Sequence, residues 1–216
     1  MIVIDHYHPV YQARMDAIGK QRWNGAVYYS EEILRNFIPN IKTDRNWITV
    51  NVPFYGADHS IVFMHNNKGT HRYNWLTEHK DLIIVCGIPQ SVKKVEHLGK
   101  AIYLPLSVDV AEVEKYKRPK TKGTCFVGRK PKRKMYEFPP DVDFLESIPR
   151  EELLWELAAY RRAFAVGRCA LESRILGAKV LPYDIRFPDP SFWKVVDNME
   201  AVEMLQKKLD EIDGGD

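Results

Sequence analysis

Residues 163–184 read AFAVGRCALESRILGAKVLPYD and predict one strand–helix–strand unit of a parallel sheet. An apolar strand over Ala163–Val166 leads through Gly167 into a helix over Cys169–Leu176, and a second apolar strand follows over Lys179–Leu181. Neither strand alternates between apolar and polar residues, as expected where helices cover both faces of a sheet. Parallel neighbours need a crossover of this kind, so the stretch predicts an α/β fold.

The same alternation of apolar strands and helical patterns runs through the rest of the chain. Further strands are predicted at Ile2–Ile4, Trp47–Val52, Ser60–Met64, Leu82–Cys86, Ala101–Leu104, Thr124–Val127 and Val142–Leu145. Helices are predicted at Val10–Gly19, Ser30–Phe37, Thr70–His79, Pro89–Leu98, Arg150–Tyr160 and Met199–Ile212. A charged linker over Ser107–Gly123 interrupts the alternation. We therefore expect two Rossmann-like lobes facing a cleft, over residues 1–106 and 107–195.

The composition is that of an ordinary globular chain. Of its 216 residues, 45% are apolar and 28% are charged, which is close to the average for folded domains. No run of 18 apolar residues is present, so we expect no membrane span. Three cysteines in apolar segments, an odd number, predict reduced buried thiols and a cytoplasmic location. No Cys and His spacing resembles a zinc site, so no metal is expected.

Positive charge is concentrated in one segment, which we call the basic segment. Residues 115–134, KYKRPKTKGTCFVGRKPKRK, hold ten Lys or Arg and no acid, whereas the whole chain has a net charge of only +3. Such a run is compatible with a solvated loop, and also with a surface that binds a polyanion or a phosphate group. The apolar strand Thr124–Val127 within it excludes a wholly disordered tail.

Residues 163–184 also have the features of a phosphate-binding wall. The N-terminus of the predicted helix offers N–H groups and the positive end of the helix dipole. Gly167 lets a ligand approach the backbone closely, and Glu172, about one turn into the helix, can accept hydrogen bonds from a ribose diol. The alternative for Glu172 is a solvated helix carboxylate. We expect one wall of a nucleotide site here.

The order of three motifs resembles that in glycosyltransferases of GT-B architecture. The motifs are YLPLSVD at residues 103–109, FVGR at residues 126–129 and the segment Gly167–Leu181. They follow the strand and helix of KDLIIVCGIPQSVKKV at residues 80–95, so the resemblance spans residues 80–184. It implies an acceptor lobe, then a donor lobe, then a C-terminal helix within residues 196–216 that packs back on the first lobe. It also implies a nucleotide-diphosphate sugar, such as a UDP-sugar, as co-substrate, with no cofactor and no metal.

The resemblance further implies a set of donor-binding residues. Arg129 and the lysines after it resemble the cationic clamp on the donor diphosphate, and Glu172 resembles the carboxylate that binds the ribose hydroxyls. A cation at the diphosphate would stabilise the charge that develops on the departing nucleotide. The expected donor-binding residues are Gly128, Arg129, Lys130, Lys132, Lys134, Gly167, Arg168 and Glu172.

Candidates for a catalytic general base follow strand ends in the first lobe. Asp5 and His6 come directly after the first predicted strand, and His65 follows Ser60–Met64 in the same way. Ligand sites form at the carboxyl ends of parallel strands, where a carboxylate or imidazole can activate an acceptor hydroxyl. The alternative for each is an ordinary loop residue.

Three departures from the family pattern leave catalysis open. Phe164 stands eight residues before Glu172, where many retaining members have a second glutamate. Residues 5–9, DHYHP, stand in place of a glycine-rich loop. The connection between the strands Thr124–Val127 and Val142–Leu145 is also short, so part of the usual donor lobe is absent.

We therefore expect a compact glycosyltransferase whose acceptor the sequence leaves open. Nucleic acid is one candidate acceptor, because the basic segment suits phosphates and phage DNA glucosyltransferases share the architecture. Two other classes stay open: a non-catalytic module that binds a nucleotide or nucleotide sugar, and a basic nucleic-acid-binding protein. The sequence does not indicate the oligomeric state.

Overall fold

The computed structural model describes residues 2–3, 33–49, 58–64, 76–128, 134–146 and 148–214. The described residues form two compact units that divide between Leu106 and Ser107, and the residues from Met199 onward belong to the first unit. Each unit contains one sheet in which all neighbouring strands are parallel. The predicted α/β fold with two parallel sheets is confirmed.

The first unit is built on a five-stranded sheet whose spatial order follows the chain. One π-helical turn, Ile33–Phe37, precedes the second strand, and helix α1 (Pro89–Val95) connects the fourth strand to the fifth. Pro89 suits the start of α1, because the first helical turn does not need its missing N–H. The strands are β1 (Ile2–Val3), β2 (Asn46–Thr49), β3 (Ser60–Met64), β4 (Leu82–Cys86) and β5 (Lys100–Tyr103).

Both faces of the sheet are buried at β3 and β4, which explains the continuous apolar runs of these two strands. On one face, the rings of Trp47 and Phe63 stack with centroids 5.8 Å apart, and Phe37 meets Phe63 edge-on, also at 5.8 Å. Val62 points to the opposite face, where it belongs to a core cluster with Val95 of α1.

The second unit contains a four-stranded sheet with strands β6 (Lys122–Val127), β7 (Val142–Leu145), β8 (Tyr160–Phe164) and β9 (Lys179–Leu181). Their spatial order, β7-β6-β8-β9, departs from the chain order. Helix α2 (Val110–Glu114) precedes β6, α3 (Arg150–Leu157) connects β7 to β8, and α4 (Arg168–Ile175) connects β8 to β9.

Three phenylalanines, which we call the aromatic row, lie side by side across the second sheet. The register pairs Phe126 of β6 with Phe144 of β7 and with Phe164 of β8, so the three side chains share one face. Phe138 packs against all three, with ring centroids at 4.9, 5.9 and 5.2 Å respectively. These contacts anchor the short β6–β7 connection on the sheet.

Lys120 joins the C-terminal ends of α3 and α4. Its Nζ donates to the carbonyl oxygen of Ala158 at 2.8 Å and to that of Leu176 at 2.5 Å. These two residues are the C-caps of α3 and α4. The ammonium therefore satisfies carbonyls that the helices leave without intrahelical partners, at the negative ends of both helix dipoles.

Other cations of the basic segment are also bound within the second unit. Lys122 Nζ lies 2.5 Å from a carboxylate oxygen of Glu156, and the Arg118 guanidinium lies 4.3 Å from the centre of the Trp155 ring. Lys115 and Lys117 make ion pairs of 2.6 Å with Glu112 and Glu114, the acids three residues earlier. The Lys and Arg side chains within residues 115–122 therefore have partners within the fold. Binding of nucleic acid by the basic segment stays a prediction.

Helix α5 (Asn198–Asp213) ends the described chain and contacts the first unit. The backbone N–H of Lys42 donates to Gln206 Oε1 at 2.7 Å. The guanidinium of Arg45 binds both carboxylate oxygens of Asp213, at 2.7 and 3.3 Å. This fork-to-carboxylate pair fixes the last turn of α5 beside the start of β2.

The structure corrects two predicted segments. Residues 107–123, expected as a linker, contain α2, whose N-cap Asp109 accepts a hydrogen bond from the Glu112 N–H at 2.8 Å. Val113 of α2 is fully buried, which a solvated linker residue would not be. The strand predicted over residues 163–166 instead spans Tyr160–Phe164, because its pairing with β6 begins at Lys122.

The three cysteines are free and buried, as predicted. Burial raises the pKa of Cys86 to about 11 and that of Cys125 to about 12, so both thiols are neutral at physiological pH. No helix in the described part of the chain is long and apolar enough to cross a membrane. The predicted helix over Val10–Gly19 lies outside the described residues.

Candidate functional site

The strand order of the second sheet creates a position where a ligand can enter the sheet edge. From β6 the chain moves to β7 on one side, whereas from β8 it moves to β9 on the other side. In parallel α/β sheets, ligands bind at the carboxyl edge between two neighbouring strands whose connections leave in opposite directions. In the second sheet, β6 and β8 are such a pair. The described strands of the first sheet follow the chain order and show no such reversal.

Two predicted donor residues flank this position. Gly128 follows β6 directly, and Gly167 ends the connection from β8 to α4. Gly167 has φ 63° and ψ −140°, a backbone conformation that is strongly unfavourable for residues with a Cβ atom. Gly128 and Gly167 come from two different predicted motifs. The structure places them just beyond the ends of neighbouring strands, at the same sheet edge.

Gly128 also has a packing reason to be glycine. A Cβ atom added there would come within 2.8 Å of Cζ of Phe126, whose side chain is fully buried. The residue therefore does not by itself identify a ligand site. Of the cations predicted around it, the structure describes Lys134, which is exposed. The other predicted clamp residues, Arg129, Lys130 and Lys132, lie outside the described residues.

The N-terminus of α4 is positively charged. Gly167 supplies no side-chain cap, the first turn contains no acid, and Arg168 occupies the first helical position. An acid in the first turn ordinarily complements the positive end of the helix dipole. Arg168 places a cation at the helix end where an acidic side chain is ordinarily favoured. The positive helix end and the arginine together suit an anionic ligand.

Glu172 lies below the surface, between two arginines. Its side chain is 0% exposed, and Oε1 accepts hydrogen bonds from Nη2 of Arg150 and from Nε of Arg168, both at 3.0 Å. The other oxygen, Oε2, is buried and has no hydrogen-bond partner among the described residues. A ribose diol would have to reach this buried oxygen, so the ribose contact of Glu172 stays a prediction.

Arg150 is a residue that our sequence reasoning missed. It is the first residue of α3, which follows β7 at the carboxyl edge, and its side chain is only 8% exposed. The sequence did contain a signal: an arginine at the start of a helix opposes the usual charge preference of a helix N-terminus. The same signal occurs at Arg168.

A further cation lies just after β9. Asp184 is 1% exposed and accepts hydrogen bonds from Nε and Nη2 of Arg186, at 2.9 and 2.5 Å. These bonds raise the pKa of Arg186, whose side chain stays about half exposed. Burial raises the pKa of the neighbouring Tyr183, which packs against Phe126. Arg186 therefore adds a fixed, permanently charged group to the carboxyl end of the sheet.

Phe164, which stands where many retaining GT-B glycosyltransferases have a second glutamate, belongs to the aromatic row. Its ring packs against Phe138 at a centroid distance of 5.2 Å. A carboxylate at this position would lose that contact and would lie in an apolar layer. The departure seen in the sequence therefore has a packing explanation.

The predicted general bases, Asp5, His6 and His65, lie outside the described residues. The described histidine with the strongest charge contacts is His59, at the amino edge of the first sheet. Its Nδ1 lies 2.5 Å from Asp81 and its Nε2 lies 3.0 Å from Asp44. The hydrogen bond to Asp81, and then that to Asp44, raises the pKa of His59. The two carboxylates therefore favour the protonated, charged form of the ring.

Within the described ranges, no cluster of three or more His, Cys, Asp or Glu side chains is arranged to hold a metal ion. Comparisons with protein-family models, curated protein sequences and solved structures find no significant match for this chain. The assignment of a function therefore depends on the residues and the geometry alone.

Proposed function

We propose that the chain is a glycosyltransferase that uses a nucleotide-diphosphate sugar. Its donor diphosphate binds at the carboxyl edge of the second sheet, between β6 and β8. The acceptor binds to the first unit, where Asp5, His6 and His65 are the candidates for the general base. The GT-B resemblance of residues 80–184 supplies the reaction class, and it implies that no metal is required.

The observation that carries the proposal is that the connections from the parallel neighbours β6 and β8 leave in opposite directions. It supports a ligand site beside Gly128 and Gly167, two residues that the motifs indicated independently of any strand order. The N-terminus of α4 supports a phosphate there, since its dipole is positive and no acid in its first turn offsets it.

The described residues support a definite role in the reaction. Glycosyl transfer breaks the bond between the sugar carbon and the donor phosphate oxygen, and negative charge then grows on the departing diphosphate. The α4 terminus and Arg168 stabilise this charge most when the bond is broken, which lowers the barrier. Abstraction of the acceptor proton is assigned to the first-unit candidates.

A second candidate function is a non-catalytic module that binds a nucleotide or a nucleotide sugar. Two observations favour it. The carboxylate expected to bind ribose, Glu172, is completely buried. Phe164 fills its position with an aromatic contact instead of a carboxylate. In such a module, the same phosphate site would hold the ligand without a reaction.

A thermal-shift screen of nucleotide-diphosphate sugars, followed by a transfer and hydrolysis assay, tests the proposal. A ligand at a hundred times its Kd adds about 2.7 kcal/mol to the stability, which gives a shift of several degrees. Arg168→Ala should abolish both the shift and turnover. The matched control is Lys179→Ala, which changes an exposed cation at the start of β9. Binding without turnover of any sugar donor would favour the module, and no shift with any donor would refute both candidates.

A further inference from the structure

Two helices that leave the carboxyl edge of the second sheet both begin with arginine. Arg150 is the first residue of α3, and Arg168 is the first residue of α4. Each cation therefore lies near the positive end of a helix dipole, where it is disfavoured. The first turn of α3 also contains Glu151 and Glu152, whereas that of α4 contains no acid.

Both arginines converge on one buried carboxylate. Oε1 of Glu172 accepts from Nη2 of Arg150 and from Nε of Arg168, each at 3.0 Å. The side chains of the two arginines are 8% and 10% exposed, and that of Glu172 is 0% exposed. One acceptor atom thereby orients the guanidinium groups of two arginines that belong to different helices.

We propose that Glu172 is a positioning residue that holds Arg150 and Arg168 as a paired clamp for a diphosphate. This inference rests on the proposed function for the identity of its ligand. Glu172 orients the two guanidinium groups and does not bind the ribose hydroxyls. Arg150, which lies outside the donor-binding set indicated by the motifs, becomes a ligand-binding residue.

The chemistry of the three groups fits this role. A guanidinium presents several N–H donors in a rigid plane that matches phosphate oxygens, provided that the plane is held in place. A buried ion triad that served stability alone would gain little, since desolvation of the charges offsets much of their attraction. Residues that break the usual rules of charge placement occur most often at binding sites. The triad lies at the carboxyl edge of the sheet, where ligands bind.

The burial of Glu172 argues against direct recognition of ribose. The oxygen not used by the arginines, Oε2, is itself buried. A ribose diol would have to displace the surrounding packing to reach it. The arginine side chains, in contrast, retain 8% and 10% exposure, so a diphosphate at the start of α4 would contact them and not Glu172.

Calorimetric binding of inorganic pyrophosphate to the full-length chain and to Glu172→Gln tests the inference. Removal of one negative charge by itself would strengthen the binding of an anion. Loss of positioning has the opposite sign, so we expect Glu172→Gln to weaken pyrophosphate binding at least tenfold. Unchanged or tighter binding would overturn the inference. If Glu172→Gln does not fold, as judged by circular dichroism, Arg150→Lys replaces it, with the same tenfold loss expected and an unchanged affinity as the contrary result.

A second measurement separates positioning from ribose binding. The nucleoside diphosphate of the best nucleotide sugar in the screen is compared with its 2′,3′-dideoxy form, on the wild type and on Glu172→Gln. A positioning role predicts that both ligands weaken by the same factor, whereas a ribose role predicts that Glu172→Gln abolishes the preference for the diol. Pyrophosphate binding that depends on Glu172, without binding of any nucleotide sugar, would refute the proposed function and leave the clamp standing.

Discussion

The substitution Lys120→Met tests whether the basic segment is built into the fold. Lys120 donates to the C-cap carbonyls of α3 and α4, at 2.8 and 2.5 Å. Methionine keeps most of the apolar stem but leaves both carbonyls without this donor. Hydrogen bonds from a charged donor contribute about 1.5–3 kcal/mol each, and partial solvent access reduces this value. We expect a loss of about 2–4 kcal/mol in the free energy of unfolding.

The matched control is Lys117→Met, in the same basic segment. Lys117 pairs with Glu114 three residues earlier, and both side chains are about half exposed. Such surface pairs contribute about 0.2–0.5 kcal/mol. The assay is native-state hydrogen exchange in urea, read at amides of β6 and β8, because two units need not unfold together. Equal losses for the two variants, or a Lys120→Met protein as stable as the wild type, would refute the structural role.

Three further substitutions have defined outcomes. Gly167→Ala forces a side chain into φ 63° and should destabilise by about 1–3 kcal/mol in urea titrations; a smaller change would show that the turn relaxes. Gly128→Ala places Cβ 2.8 Å from the buried Phe126 ring, so a similar loss is expected, and a neutral result would contradict this packing. The pKa of His59 is raised mainly by its hydrogen bond to Asp81, so its charged form stabilises the fold below about pH 6.5, and this contribution disappears as the pH rises through the raised pKa. Asparagine tolerates the positive φ of 50° at this position, so His59→Asn is a suitable substitution. It should lower the melting temperature more at pH 5.5 than at pH 9. Equal losses at both pH values would contradict a contribution from the charged form of His59.

The strands were the most predictable part of the fold. Ser60–Met64, Leu82–Cys86, Val142–Leu145 and Lys179–Leu181 have the predicted bounds, and the first two are continuous runs of buried residues. The start of β8 was not predictable in this way. Its residues Arg161 and Arg162 are exposed, and they form a strand because β6 pairs with them.

The helix missed within residues 107–123 had a recognisable signal. Asp109 followed three residues later by Glu112 is the sequence pattern of a capping box, and Asp109 does cap α2. The high density of charge in this region concealed the pattern. The burial of Val113 shows that tertiary packing, rather than solvation, determines this segment.

The candidate site was predictable only in part. Gly167 and Arg168 were identified from a local pattern, since a glycine before a helix after an apolar strand indicates a phosphate-binding turn. The arrangement around Glu172 could not be obtained in this way, because its partner Arg150 is 22 residues away along the chain. The reversal between β6 and β8 is a property of strand order, which no local pattern contains.

A titration of the ¹⁵N-labelled chain with nucleotide-diphosphate sugars, followed by amide NMR, tests directly whether a sugar donor binds at the carboxyl edge of the second sheet. A donor site there predicts that the largest shifts occur at Gly128, Gly167 and Arg168, at the carboxyl ends of β6 and β8. The amide of Gly99, before β5 in the first unit, serves as the internal reference and should not shift. Saturable binding that shifts other amides and leaves these three unchanged would contradict a donor site at this edge of the sheet.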